Sequence, residues 1–155
     1  MKKGLPILLM ALLSFSSLTP ADDSDWKPVV SSQGKYKLFL NAKTLQREDD
    51  VVNVTMRYVF AEQQIFPFIN IKYNRMERNF AFQCKERNSV ALENHYYLDE
   101  NQVHTINLAA GNPFQPKEQM LIPKKVEPDS MEDEALKRSC DYSDKEPDST
   151  DFQLI

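Results

Sequence analysis

The residues of this chain whose types could do chemistry are two cysteines, two histidines and many acidic and basic side chains. Cys84 and Cys140 are the only cysteines. Together with His95 and His104 they do not show the spacing of zinc ligands, so the sequence predicts no metal site. Each histidine lies in a strand-like segment without an evident hydrogen-bond partner, which a general base would need. The two thiols therefore favour a disulfide over metal binding or catalysis.

Motifs for enzymatic chemistry are missing from the sequence. After residue 21 the only glycines are Gly34 and Gly111, which leaves no glycine-rich loop for a phosphate group. No G-x-S-x-G nucleophile motif occurs, and no pair of carboxylates stands out as an acid and a base. We therefore predict a protein that is not an enzyme and needs no cofactor. The net charge of −4 also argues against nucleic acid as a partner, because nucleic-acid binders are strongly basic.

The first 21 residues have the layout of a secretory signal peptide. Lysines at positions 2 and 3 precede an apolar run, Leu5–Leu13, and Thr19–Ala21 offers small residues for cleavage. The run is shorter than the about 20 residues of a membrane span, so we expect cleavage rather than the alternative, a membrane anchor. No cysteine of a lipobox stands near the cleavage site. We expect the mature chain to begin near Asp22, to lack a membrane span and to be periplasmic or extracellular.

An exported protein enters an oxidising compartment, where two cysteines allow one intramolecular connectivity. We therefore predict a Cys84–Cys140 disulfide. It closes a loop of roughly 57 residues, for which the loop-entropy estimate gives about 4 kcal/mol of stabilisation. Residues 22–142 suit one domain with one core. Residues 143–155 are acidic and poor in apolar side chains, so we predict a disordered tail there.

The body of the chain predicts an antiparallel sheet. Several segments alternate apolar with polar residues and are rich in β-branched and aromatic residues, which is typical of half-buried strands. The stretches REDD, ERN and DENQ supply turn residues between them. Such short turns indicate hairpins in a meander of about six strands. The predicted strands include residues 36–41, 51–60, 78–87, 89–98 and 103–108, and residues 61–68 are interpreted as a connection or an edge.

The segment PDSMEDEALKRSC predicts a helix that ends at the second cysteine. Ser130 is an N-cap residue, and Asp133 completes a capping-box pattern. Leu136 and Cys140 fall on one side of this helix, which should face the sheet. The predicted fold class is therefore α+β, an antiparallel meander with a C-terminal helix packed on it and tied by one disulfide.

Six segments of the chain carry a likeness to a known family. They are Trp26 and Val29 ahead of GKYKLFLN, followed by TLQREDDVVNV, QCKER, YYLDENQV and PDSMEDEALKRSC. In this order and spacing, from Trp26 to Cys140, they resemble the surface-adhesin protein E family. The resemblance implies a small antiparallel sheet with a helix tied by this disulfide, in bacterial surface proteins that bind host matrix and plasma proteins and also occur as homodimers. The chain departs from the family in lacking the lipobox cysteine and in having a longer acidic tail.

Two functions remain in view. The resemblance favours a secreted or periplasmic binding protein, adhesin-like and non-enzymatic, whose partner is a host matrix or plasma protein. The missing anchor favours the alternative, a periplasmic envelope protein that binds or inhibits a bacterial envelope partner.

A basic stretch that runs into the first cysteine is the candidate binding surface. The matrix-binding adhesin of the family has a basic, tyrosine-bearing stretch at the matching place, and arginine and tyrosine are common interface anchors. The plainer alternative is a solvated strand face whose charges discourage edge pairing. A third interpretation is that the acidic tail folds back and masks this stretch. The candidate binding residues are Lys72, Tyr73, Arg75, Arg78, Lys85 and Arg87.

Overall fold

The protein is described here by a computed structural model, which covers residues 25–31, 35–67, 69–111, 118 and 121–142. The predicted signal peptide and the predicted acidic tail lie outside these residues. Within the same ranges, no helix combines the length and the apolar character that crossing a bilayer requires.

The described residues form an antiparallel sheet and a C-terminal helix, which confirms the predicted fold class. The strands are β1 (Trp26–Ser31), β2 (Tyr36–Asn41), β3 (Gln46–Glu48), β4 (Val51–Phe66), β5 (Ile71–Gln83), β6 (Asn88–Leu98), β7 (Asn101–Asn107) and β8 (Lys124–Lys125). A short 3-10 helix, Ala42–Thr44, precedes β3, and α1 spans Met131–Tyr142. The sheet order is β1-β2-β4-β5-β6-β7, while β3 pairs with β4 and β8 with β6.

The described part of the chain has eight strands, not about six. β1 escaped the sequence pattern because Pro28 interrupts its alternation, and its place at the sheet edge is where a strand tolerates proline. β8 has only two residues. Residues 61–66, interpreted from sequence as a connection or an edge, continue β4, and residues 64–66 pair with β5. Pro67 therefore marks the end of β4, and the residues before it still form a strand.

The core lies between α1 and one face of the sheet. Met56, Phe82 and Leu136 are at most 2% exposed. Cys84 and Cys140 form the predicted disulfide, with their Cα atoms 5.9 Å apart. Leu136 is buried and Cys140 packs against the core, so the helix presents the predicted side to the sheet.

Ser130 caps the start of α1 as its sequence predicts, whereas the Asp133 carboxylate reaches one residue further back than a capping box requires. Ser130 Oγ accepts a hydrogen bond from the backbone N of Asp133 at 3.0 Å. The Asp133 carboxylate in turn accepts from the backbone N of Asp129 at 3.0 Å. Asp133 is buried, and it is paired with Arg87 of the β5–β6 turn and with Lys137 at 2.9 Å. These contacts fix the N-terminal end of the helix on the sheet.

Candidate binding surfaces

The two faces of the sheet differ because side chains alternate along each strand. We call the face covered by α1 the helix side and the opposite face the open side. On β4, Val54 and Met56 point to the helix side and belong to the core. Arg57, one residue further along, therefore belongs to the open side, as does its register partner on β5, Glu77.

The structure places two of the predicted binding residues, Arg75 and Arg78, on opposite faces. Arg78 is paired in register with buried Met56, and its Nε donates to Asn94 Oδ1 at 2.6 Å on the helix side. Arg75 lies on the open side, where its guanidinium stacks over the Tyr97 ring at 4.3 Å. Both side chains are half-buried, so neither presents a freely solvated charge.

Lys85 and Arg87 lie at the other end of β5, in the turn beside the disulfide. Lys85 is exposed, and its backbone N donates to the Asp50 carboxylate. The side chain of Arg87 is engaged with buried Asp133 and serves to hold α1. The six predicted residues thus do not form one continuous surface.

Tyr73 belongs to an aromatic cluster on the helix side, although Arg75, two residues further along, lies on the open side. The register between β4 and β5 shifts between Val59 and Gln64, which breaks the regular alternation at this point. Its ring centroid lies 5.6 Å from that of Phe60 and 5.0 Å from that of Tyr96. Tyr58 continues the cluster toward the core through Tyr36. Burial raises the pKa of the Tyr58 phenol, an effect that nearby Arg78 partly offsets. The cluster therefore contributes packing and an uncharged polar surface.

Lys72 lies in the tip of the β4–β5 hairpin, and we define this tip as residues 62–74. In this region β4 and β5 pair with each other but are not in register with β2 or β6. Ile65, the register partner of Lys72, is 56% exposed, and Ile69 in the turn is 46% exposed. Phe66 points inward, where its ring lies 5.4 Å from that of Tyr96.

Sequence reasoning missed these two isoleucines as surface residues. The apolar letters IFPFI surround a proline, so the sequence indicates a connection or an edge and does not identify exposed apolar side chains. Its one usable signal was the polar run AEQQ before it, which indicates an exposed ribbon.

The open side carries a row of stacked and paired side chains that crosses the sheet. Arg57 lies over the Trp26 ring at 3.8 Å and donates from Nε to Glu77 at 2.9 Å. Glu77 is also 3.7 Å from Arg75, which stacks on Tyr97. We call these five residues the open-side row. They line an open groove of about 880 Å³.

A second polar network runs across the open side. Asn79 accepts from Thr55 at 2.8 Å and donates to Glu93 at 3.4 Å. His95 contacts Glu93 at 3.1 Å and Thr105 at 3.2 Å. These contacts satisfy polar groups between neighbouring strands. Among the described residues, His, Cys, Asp and Glu side chains form no cluster of three or more suited to a metal ion.

Comparison with known proteins adds a family and a fold. The family model described as Surface-adhesin protein E matches residues 26–141. No curated protein sequence matches the chain.

Three solved structures of Haemophilus influenzae protein E are similar to the chain. Crystal form II is 13% identical, with a TM-score of 0.56 over 79% of this chain and 91% of that one. A second structure is 11% identical, with a TM-score of 0.54 over 79% and 89%. Protein E from a non-typeable strain is 14% identical, with a TM-score of 0.53 over 81% and 82%. At these identities the likeness establishes a shared fold.

Proposed function

Since the chain belongs to the surface-adhesin protein E family, we propose that it is an exported, non-enzymatic binding protein that contacts a host matrix or plasma protein. Family membership supports the adhesin type, and it supports a protein as the partner.

The observation that carries the proposal is the exposed apolar tip of the β4–β5 hairpin. Ile65, Ile69 and Ile122 are the large apolar side chains that stand most in solvent among the described residues. Two of the three lie on this tip, next to exposed Lys72. Apolar side chains gathered at one projecting place, with a charged residue beside them, are typical of a protein contact.

The tip is also held in position. Phe66 packs against Tyr96 and His104, and Tyr73 packs against Phe60 and Tyr96. These inward rings fix the ribbon from which Ile65 faces outward. A surface that is already ordered loses little conformational entropy on binding, which favours affinity.

Only part of the basic stretch belongs to the contact that we propose. Lys72 lies on the tip. Tyr73 packs against Phe60 and Tyr96 and so holds the tip in place. Arg78 and Arg87 are engaged with the interior and with α1. Lys85 lies at the opposite end of the strand. The contact we propose is therefore apolar at its centre, with Lys72 at its rim.

The test compares the double variant Ile65→Ser, Ile69→Ser with the wild type on immobilised laminin and vitronectin by surface plasmon resonance. We expect about tenfold weaker binding or more, because truncating central apolar anchors commonly costs over about 1 kcal/mol each. Ile122→Ser is the matched control, since Ile122 is as exposed but lies away from the tip. Equal binding by the double variant would show that the tip is not part of the contact. No binding by the wild type would contradict the proposed contact with a host protein.

Location separates this function from an envelope role. A host-binding protein must reach the cell surface or the medium, so we expect the mature chain there after fractionation. Complete retention in the periplasm would contradict the proposal and leave the envelope-partner function.

A further inference from the structure

We propose that the groove on the open side binds an oligosaccharide, with the open-side row as its floor. The groove lies on the face of the sheet opposite to α1. The proposal concerns a ligand class that is separate from the protein contact at the hairpin tip and does not depend on it.

The floor is assembled from four strands of the sheet, of which β1 is separated from β4 by β2. Trp26 comes from β1, Arg57 from β4, Glu77 and Arg75 from β5, and Tyr97 from β6. Each side chain in the row is held by its neighbours through stacking or an ion pair. Arg57, Arg75 and Glu77 are only 14–16% exposed, so the row is fixed before any ligand arrives.

The hydrogen-bonding groups of the groove suit hydroxyl groups better than ions. Two guanidinium groups offer donors, whereas Glu77, Asp99 and Glu100 offer acceptors. A sulfate or phosphate group would meet the three carboxylates, and an amine would meet the two arginines. A sugar hydroxyl both donates and accepts, so it can use both kinds of group. Asn41 and Asn74 also line the groove. Asn41 Oδ1 accepts from the backbone N of Lys43, and Asn74 exchanges two hydrogen bonds with Asp99.

One ion pair at the edge of the row can be exchanged for a ligand contact. Arg75 reaches Glu100 at 3.3 Å, but Glu100 is 89% exposed, and such a pair adds little stability. The Nε of Arg75 is buried and faces Glu77, so it stays inside the row. The Nη1 of Arg75, which makes the contact with Glu100, can donate to a ligand hydroxyl when Glu100 moves aside.

The apolar part of the groove is aromatic, and its size fits a small chain of rings. Trp26 and Tyr97 flank the charged groups at the two ends of the row. Aromatic rings give a sugar's C–H surface an apolar contact, while the polar groups between them fix its orientation. A volume of about 880 Å³ lies within the usual range of ligand sites, roughly 300–1,000 Å³.

The chain carries its own reporter for this site. Trp26 is its single tryptophan, so a change in tryptophan fluorescence reports directly on the groove. The wild type is titrated with chitotetraose, cellotetraose and a heparin tetrasaccharide. We expect a saturable change with at least one of the two neutral sugars, nearly independent of salt. No saturable change with either neutral sugar would overturn the proposal, and so would a salt-sensitive change with the heparin fragment alone.

Variants then locate the binding. Arg75→Lys keeps the charge but loses the planar stack on Tyr97 and the forked donors, so we expect roughly tenfold weaker binding. Tyr97→Ala should weaken binding at least as much. Lys37→Ala is the matched control, since Lys37 is an exposed open-side residue on β2 outside the groove. Each variant is first checked for an unchanged circular dichroism spectrum. Equal affinity in both folded groove variants would place the sugar elsewhere and overturn the assignment.

A polypeptide is the competing occupant. If a glycoprotein bound the wild type, lost binding to Arg75→Lys, and bound equally well after enzymatic removal of its glycans, the groove would be a protein contact and the proposal would be wrong.

Discussion

The helix side and the open side of this sheet are built from the same strands and do different work. Along β4, Val52, Val54 and Met56 face the helix side and are at most 2% exposed. The residues between them, such as Asn53 and Thr55, face the open side and are polar and half-buried. A shift of one residue thus separates a packed core from a surface of paired charges. The comparison teaches that stability is concentrated on one side, which leaves the other free to carry polar groups.

The largest expected difference between the sides comes from removing a core ring. Phe82→Ala on β5 should cost about 3–5 kcal/mol in unfolding free energy, because it leaves a cavity under α1. Gln83→Ala, the next residue and on the open side, should cost less than about 1 kcal/mol. Urea denaturation of both variants checks this. Similar costs would show that the two sides do not differ as described.

Loss of the disulfide should come next. Cys84→Ser or Cys140→Ser should lower the unfolding free energy by about 2–5 kcal/mol, because the unfolded chain regains its loop freedom and α1 loses its tie. Thermal melting measures the loss, and thiol titration should find one free thiol in each variant. Titration of two thiols in the denatured, non-reduced wild type would contradict the disulfide.

Two carboxylates on α1, buried Asp133 and partly exposed Glu134, allow the same comparison within one helix. Asp133→Ala should cost about 2 kcal/mol. Its partners Arg87 and Lys137 keep 38% and 46% exposure and can turn to water, so the cost stays below that of a fully buried pair. Glu134→Ala, which removes an exposed pair with Arg138, should cost under about 0.5 kcal/mol. Chemical denaturation measures both costs. Equal costs would mean that the ion pairs of buried Asp133 stabilise the fold no more than the exposed pair does.

Alkaline pH should weaken the helix side through Tyr58. Burial raises the pKa of its phenol above the ordinary value of 10.0. Above that pH the unfolded chain releases this proton while the folded chain keeps it, so the contribution is intact below pH 10 and stability falls as the pH rises further. Tyr58→Phe should show less of this fall in urea melts than the wild type. A fall of the same size in Tyr58→Phe would exclude Tyr58 as its source.

The smallest effect should come from the predicted acidic tail. Deleting residues 144–155 should leave the melting temperature almost unchanged, because the segment has too few apolar residues to join the core. A drop of several degrees in differential scanning calorimetry would mean that Phe152, Leu154 and Ile155 dock on the domain.

Much of the helix side could be predicted from sequence because local patterns determine it. Alternation identified Leu38, Leu40 and Val54, and capping residues identified the start of α1 at Ser130. The partly predicted elements have weak local signals, such as β1 with its proline and the polar start of the hairpin tip.

The open-side row could not be predicted, because Arg57 and Glu77 meet through the register between two strands. The basic stretch was also judged as a unit, although Arg75 and Arg78 are three residues apart and so fall on opposite faces. Their separation follows from strand geometry alone.

Hydrogen–deuterium exchange of the domain with and without bound laminin or vitronectin tests the central claim most directly. We predict new protection of the backbone amides in residues 62–74, with α1 and the strands beneath it unchanged, since the contact lies on the hairpin tip and the core is already closed. Protection confined to the disulfide end near Lys85, or complex formation with no protection at the tip, would contradict this account.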